Sequence, residues 1–394
     1  MRILHTSDWH IGRTFHGVDL LADQTRVLDA IAALVAEHGV DVVVVPGDVY
    51  DRSIPSADAV TVCNRGFEAI RDAGAVIVAT SGNHDSAARL GAGAAFSRAG
   101  GLHLMTTVAG IGSPVVLEDE HGTVAFYGIP YLEPEITRDR LGVPSARSHA
   151  EILDAAMVRV RADLDARRET LPRTRSVLLA HAFVVGAEPT GSERSISVGG
   201  VETVPASAFG GTDYVALGHL HSPQTLAENI RYSGSPLPYS FGERTHSKAV
   251  FIVDLDADGL RTVERVALPV VRGLRQLTGT VRELLENDEY EDARDCYVSA
   301  VLTDPERPVD AMRALQTRFP FAVHLEWKRP EGSENLRYQD KIRGRSDLQI
   351  THSFLTDVRN EPSVGEVRLV EAALGFAERA GEDTAEVGAL GQTA

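Results

Sequence analysis

Carboxylate, carboxamide and imidazole side chains recur at short, repeated spacings through the first 221 residues of this 394-residue chain. Asp8 and His10 stand two apart, as do His219 and His221. Asp48 follows Gly47, Asn83-His84-Asp85 follow Gly82, and His181 lies between these groups. In extended backbone, residues two apart point to the same side, so each of the two pairs can offer both donors to one site. Oxygen and imidazole donors without cysteine suit Mn2+, Fe or Zn2+ better than a structural zinc site. The donors exceed what one ion needs. Two ions sharing a carboxylate is the economical reading, and such pairs sit about 3.5–4 Å apart. Asn83 offers a neutral oxygen, and His84 a proton donor at the same edge.

The elements that must position these residues are buried strands. Val42–Val45 are four β-branched residues in a row, ended by Pro46-Gly47, and read as a strand buried on both faces. Short apolar runs also precede Asp8, Asn83, His181 and His219, so the donors fall at five strand exits. Open α/β sheets place their ligands at that edge. Taken singly, Asp after Gly is more often a turn or cap, and a lone histidine is more often a satisfied core or loop residue. Repetition at five exits outweighs both. Periodicity predicts helices over residues 20–37, 56–72 (with Ser56 as N-cap) and 146–168, and strands over 75–80, 114–117, 123–129, 176–180 and 213–217. Residues 191–200 read as a Ser- and Gly-rich loop.

Composition permits an ordinary globular core, with 43% hydrophobic and 24% charged residues. Two distant cysteines, Cys63 and Cys296, argue against a disulfide framework. No signal-peptide run or membrane-span length is seen, so a cytoplasmic location with no membrane association is expected. The net charge of −17, from 39 basic and 56 acidic residues, opposes nucleic-acid binding, although bound cations or a basic partner would offset it.

Beyond residue 268 the texture changes. A β-α-β-α-β order over 269–329, without ligand clusters, predicts a small α+β domain. Residues 330–362 read as a polar linker, with a weak basic cluster at Arg329, Arg337, Lys341, Arg343 and Arg345. An amphipathic helix is expected over 363–380 and a disordered tail over 381–394.

Asp8-x-His10, Gly47-Asp48, Gly82-Asn83-His84-Asp85, His181 and Gly218-His219-x-His221 resemble the signature of the calcineurin-like metallophosphoesterases. The wording of residues 2–12, 46–52 and 232–238 resembles the SbcD type of nuclease subunit within them. The resemblance implies a four-layer α/β/β/α sandwich over 1–268, a capping domain over 269–329 and a C-terminal helix that docks on an SMC-like ATPase subunit of the SbcC type. It implies two divalent ions, with Mn2+ the expected metal: one on Asp8, His10, Asp48 and His221, the other on Asp48, Asn83, His181 and His219. His84 would face the scissile phosphate with Asp85 orienting it. Some relatives carry a histidine where this chain has Asp51, so Asp51 is given no catalytic role. The implied activity is hydrolysis of DNA phosphodiester bonds: 3′→5′ exonuclease on duplex ends, and endonuclease on single strands and hairpins. It would serve DNA repair, replication and recombination, as a homodimer within a heterotetramer. A small-molecule phosphodiesterase or phosphatase on the same fold, and a non-catalytic scaffold, are the competing readings.

Overall fold

The computed structural model describes residues 1–193, 203–328, 344–358 and 361–389, with backbone alone at 357 and over 377–389. It divides into two compact units, Met1–Leu274 and Arg275–Ala394.

The principal elements of the first unit are β1 (Arg2–His5), α1 (Leu21–His38), β2 (Val42–Pro46), α2 (Ala57–Asp72), β3 (Val76–Thr80), β4 (Leu102–Leu104), β5 (Val115–Asp119) and β6 (Gly122–Ile129). Next come α3 (Pro134–Leu141), α4 (His149–Thr170), β7 (Arg175–His181), β8 (Tyr214–Gly218), β9 (Gln224–Ala227), β10 (Ile230–Tyr232), β11 (Ala249–Asp256) and β12 (Gly259–Ala267). They build two six-stranded sheets, in the orders β12-β11-β1-β2-β3-β4 and β9-β10-β8-β7-β6-β5. The centres of both sheets are parallel. Ile3 pairs with Val42 and Val44 with Val78 in one, and Val177 pairs with Phe126 and Tyr214 in the other.

Strand alternation divides the apolar side chains between two layers. Ile3, Val42, Val44 and Val78 of the first sheet meet Val124, Phe126, Val177, Leu179, Tyr214 and Ala216 of the second in one fully buried cluster. The opposite face of the second sheet, with Ala125, Tyr127, Leu178 and Leu217, packs on Ile152, Ala156, Met157 and Val160 of α4. The outer face of the first sheet is covered by α1 and α2, which lie so close that a Cβ on Gly66 would fall 2.7 Å from Leu28 Cδ1. The result is the α/β/β/α sandwich expected from the sequence.

Helix starts follow local chemistry. Ser56 caps α2 by accepting from Ala59 N, and Ser148 with Glu151 forms a reciprocal capping box on α4. The hairpin β11–β12 goes beyond the strands expected from the sequence; β11 joins antiparallel to β1, with Ile3 opposite Val253, and extends the first sheet.

In the second unit, β13 (Leu274–Gly279), β14 (Tyr297–Leu302) and β15 (Ala322–Trp327) form a three-stranded sheet with α5 (Val281–Glu286) and α6 (Ala311–Arg318). Leu277, Leu284, Val298, Ala300, Leu315 and Phe319 make its core. Two differences from the sequence reading follow. The expected linker contains a helix, α7 (Asp347–Val358), whose start is prepared by Ser346, which accepts from Gln349 N while its own N–H donates to the Gln349 side chain. The last helix, α8 (Val364–Ala389), runs into the stretch expected to be disordered. Of the weak basic cluster, Arg345 alone lies within the described residues.

Candidate metal centre

All the sequence-predicted donors gather at one edge of the sandwich, where β1, β2 and β3 of the first sheet and β7 and β8 of the second end. The approach is close enough to require glycine. A Cβ on Gly82 would sit 2.1 Å from Asp48 Oδ1, and one on Gly218 would sit 2.0 Å from the Pro46 carbonyl and 2.9 Å from His181 Nδ1. The backbone itself is held in an unusual state. Asp8, His10, Asp48 and His219 have φ of 53°, 46°, 49° and 109°, four of the six non-glycine residues with positive φ among the described residues. Such conformations cost about 1–3 kcal/mol each and persist where surroundings over-determine them. Here the first two exits are tied together, with Asp8 N donating to Gly47 O (3.3 Å) and His10 N to Asp48 O (2.9 Å).

Each of the two buried carboxylates spends one oxygen on a backbone amide. Asp8 Oδ1 accepts from His219 N, and Asp48 Oδ1 from His84 N, both at 2.9 Å. Asp48 Oδ2 then lies 3.6 Å from His10 Nε2 and 3.5 Å from His181 Nε2, between the two histidines. Asp8 Oδ2 is buried with no hydrogen-bond partner. His10 Nε2 and His221 Nε2 face one another at 3.0 Å. His181 Nδ1 is 3.0 Å from the Pro46 carbonyl, which can only accept, so Nδ1 carries the hydrogen. Its Nε2 lone pair then points at the Asn83 side-chain oxygen, 2.8 Å away. Two acceptors at that distance are repulsive unless a cation lies against both.

Three sets of donor atoms lie within 4.8 Å of one another: Asp8, His10 and His221; Asp8, Asp48 and His181; His10, Asp48 and His84. The orphaned Asp8 oxygen and the facing acceptors show that this donor set fits divalent cations. His219 belongs to none of the three sets; its ring lies edge-on to His181 with centroids 5.4 Å apart.

Burial gives the cluster its electrostatic character. It pushes the His181 and His219 imidazoles down to about 3, and His10 and His221 well below the usual value, so all four stay neutral and keep lone pairs for a cation. Burial, and next the Asp48 charge, raise Asp8 well above the ordinary carboxylate range. A bound cation reverses that preference by favouring the ionised form.

His84 is nearly buried and stacks edge-on against His10, with ring centroids 4.5 Å apart. Its orienting partner is not Asp85, as expected, but Asp51. His84 Nδ1 is 2.8 Å from the backbone carbonyl of Asp51, whereas the Asp85 carboxylate accepts from Val49 N, Tyr50 N and Gly82 N at 3.1, 2.8 and 2.9 Å. Asp85 therefore braces the two turns that carry Asp48 and Asn83. Asp51 also brings its carboxylate within 3.6 Å of His10 Nδ1 and 3.5 Å of Arg13 Nη1.

Residues that sequence reasoning missed surround His221 and His10. Tyr239 packs edge-on against both rings, and Ser192, Glu193, Glu243 and Lys248 lie behind His221. Only the run at 232–238 carried a local signal pointing to this region.

Residues 1–223, more than half of the chain, match the calcineurin-like phosphoesterase family. The chain belongs to this family. Residues 270–359 match a family described as the type 5 capsule protein repressor C-terminal domain, SbcD_C, and the two matches together support an SbcD-type nuclease subunit. As a calcineurin-like phosphoesterase the chain is a hydrolase of a family that uses divalent metals. Among solved structures it is similar to TT1561 of Thermus thermophilus, at 13% identity over 69% of this chain and 99% of that one, with a TM-score of 0.39. It is also similar to a dimetal phosphatase from Danio rerio, at 13% identity over 68% of this chain and 99% of that one, with a TM-score of 0.38. No helix among the described residues is long and apolar enough to cross a membrane.

Proposed function

We propose that this calcineurin-like phosphoesterase is a two-metal DNA nuclease subunit, hydrolysing phosphodiester bonds as a 3′→5′ exonuclease on duplex ends and an endonuclease on single strands and hairpins. The observation that carries the two-metal reading is Asp48 Oδ2, placed between His10 and His181 as a carboxylate shared by two ions would be. Asp8, His10, Asp48 and His221 would hold one ion, and Asp48, Asn83, His181 and His219 the other, with Mn2+ the proposed metal. When bound, the pair supplies an activated water near neutral pH and offsets charge on the phosphate oxygens.

The chain's own residues do the rest. The Asp51 carbonyl pins His84 through Nδ1, which directs Nε2 away from that contact. Protonated, His84 can stabilise charge on the transferring phosphate or give its proton to the leaving sugar oxygen. Asp85 keeps the turns bearing Asp48 and Asn83 at fixed separation. DNA is favoured as substrate by the second matched region, residues 270–359, which accompanies the phosphoesterase part. The proposed partner is an SMC-like ATPase of the SbcC type, receiving the C-terminal helix, with two copies of this chain in the assembly acting in DNA repair and recombination in the cytoplasm. Because the chain carries a net charge of −17, that partner is proposed to supply much of the DNA-binding surface.

The test is digestion of end-labelled linear duplex, hairpin and single-stranded DNA in Mn2+, with a chelator control, with and without the ATPase. Metal-dependent digestion, shaped by ATP when the partner is present, supports the proposal. Hydrolysis of small phosphodiesters or monoesters with DNA left intact under every condition overturns it in favour of a small-molecule phosphoesterase.

A further inference from the structure

Behind His221 runs a polar chain that takes no part in the reaction described above. His221 Nδ1 lies 2.5 Å from Ser192 Oγ, and Ser192 Oγ donates to Glu243 Oε1 at 2.7 Å. The other Glu243 oxygen pairs with Lys248 Nζ, which also donates to the His221 carbonyl at 2.7 Å and to Ser235 Oγ at 2.9 Å. Glu243 is 1% exposed and Lys248 7%. Taking an ion pair out of water costs desolvation that its mutual attraction seldom exceeds, so a buried pair is poorly explained by stability alone.

Donor and acceptor counting gives the chain a direction. An ionised carboxylate only accepts, so the Ser192 hydroxyl hydrogen goes to Glu243. The Ser192 oxygen is thereby left as an acceptor facing His221, and the hydrogen on that contact must belong to His221 Nδ1. Neutral imidazole then has its lone pair on Nε2, the atom that faces His10 Nε2 at 3.0 Å. Lys248 pairs with the other Glu243 oxygen and at the same time clamps the His221 backbone. Ser235 and Gly234, from the conspicuous run at 232–238, complete the seat. Ser235 Oγ takes a hydrogen bond from Lys248, and a Cβ on Gly234 would fall 2.7 Å from the His221 carbonyl.

We infer that Glu243, acting through Ser192 and held by Lys248, is a positioning residue that fixes His221 in the Nδ1–H tautomer and presents its Nε2 to the metal centre. Such outer partners of metal-ligating histidines, when removed, cost about 10–100-fold in metal affinity. The inference rests on the binuclear reading of the site.

Two readouts test it. In the metal-free full-length protein, nitrogen-15 imidazole spectra report the His221 tautomer directly. In Mn2+ titrations by calorimetry, Ser192→Ala leaves the Glu243–Lys248 pair in place and removes only the relay, while Ser192→Thr restores a hydroxyl. The expected results are Nδ1–H in the native protein and a mixture of tautomers in Ser192→Ala. One of the two ions should then bind about 10–100-fold more weakly, with recovery in Ser192→Thr. An Nε2–H tautomer in the native protein, or unchanged affinity for both ions in Ser192→Ala, overturns the inference. Failure of the binuclear reading looks different: the native protein itself would then bind fewer than two Mn2+ ions in the same titration, whatever the tautomer of His221.

Discussion

Replacing Gly82 by alanine tests how tightly the strand exits are drawn together. The added Cβ would lie 2.1 Å from Asp48 Oδ1, 2.4 Å from Asp48 N and 2.7 Å from Asp48 Cγ, all parts of the residue proposed to bridge the ions. Carbon and oxygen atoms in contact rest near 3.5 Å, so something must move by about 1 Å or more. Two of the three neighbours are the carboxylate itself, so the shift falls on Asp48 and on the bond it accepts from His84 N. Misplacement of a reacting group by about 1 Å costs on the order of 100-fold in rate. Overpacking of this kind costs about 1–3 kcal/mol in stability, and Tm should fall by roughly 2–12 °C for a unit of this size. The assay pairs hydrolysis of a chromogenic phosphodiester with Mn2+ stoichiometry and thermal melting. Gly100→Ala is the control, since nothing lies within 4 Å of its Cβ position. Near-native hydrolysis and two ions bound in Gly82→Ala would refute the close approach on which the site rests.

Further outcomes follow from the same geometry. His84→Ala should lower turnover by about 100- to 10,000-fold while both ions stay bound, whereas a non-catalytic scaffold would lose nothing; turnover and metal content measured together decide this. Asp85→Ala leaves three backbone N–H groups without their acceptor, each worth about 1–3 kcal/mol, and should destabilise far more than Asp85→Asn, as read by urea midpoints. Lys248→Met strands a buried carboxylate and should cost about 3–5 kcal/mol, and an unchanged urea midpoint would contradict the burial of the pair. Metal-free protein should lose stability on acidification. His181 and His219 stay neutral in the fold down to about 3 but take up protons near 6.5 once unfolded, so their contribution is full above 6.5 and lost toward 3. Asp85, pushed up to about 7, acts in the opposite sense between 7 and 3.8, with Asp8 alongside it. The imidazoles, with His5, His10 and His221 shifted the same way, outnumber the two carboxylates, so a urea midpoint flat from pH 7 to 4 would contradict the burial of the histidines.

Much of the site could be read before the fold, because parallel strands buried on both faces leave continuous apolar runs, and their ends are fixed points. Val42–Val45 located Asp48, and the runs before Asn83, His181 and His219 located the others. What could not be read was which groups partner one another. Asp85 follows His84 in sequence, yet the turn carries its carboxylate back onto three amides, while the carbonyl of Asp51, 33 residues earlier, reaches His84. Ser192 and Glu243 lie 51 residues apart and meet only through folding. The hairpin after residue 249 did have a signal, Asp258-Gly259 between alternating residues, with Gly259 at φ 114°. The helix Asp347–Val358 is masked by the polar stretch around it, although its apolar positions at Leu348, Ile350, Phe354, Leu355 and Val358 fit one face.

The most direct measurement is anomalous diffraction at the manganese edge from crystals soaked in Mn2+. The expected result is two peaks about 3.5–4 Å apart with Asp48 between them. Asp8, His10 and His221 should surround one peak, and Asn83, His181 and His219 the other. A single peak, or peaks away from Asp48, would contradict it.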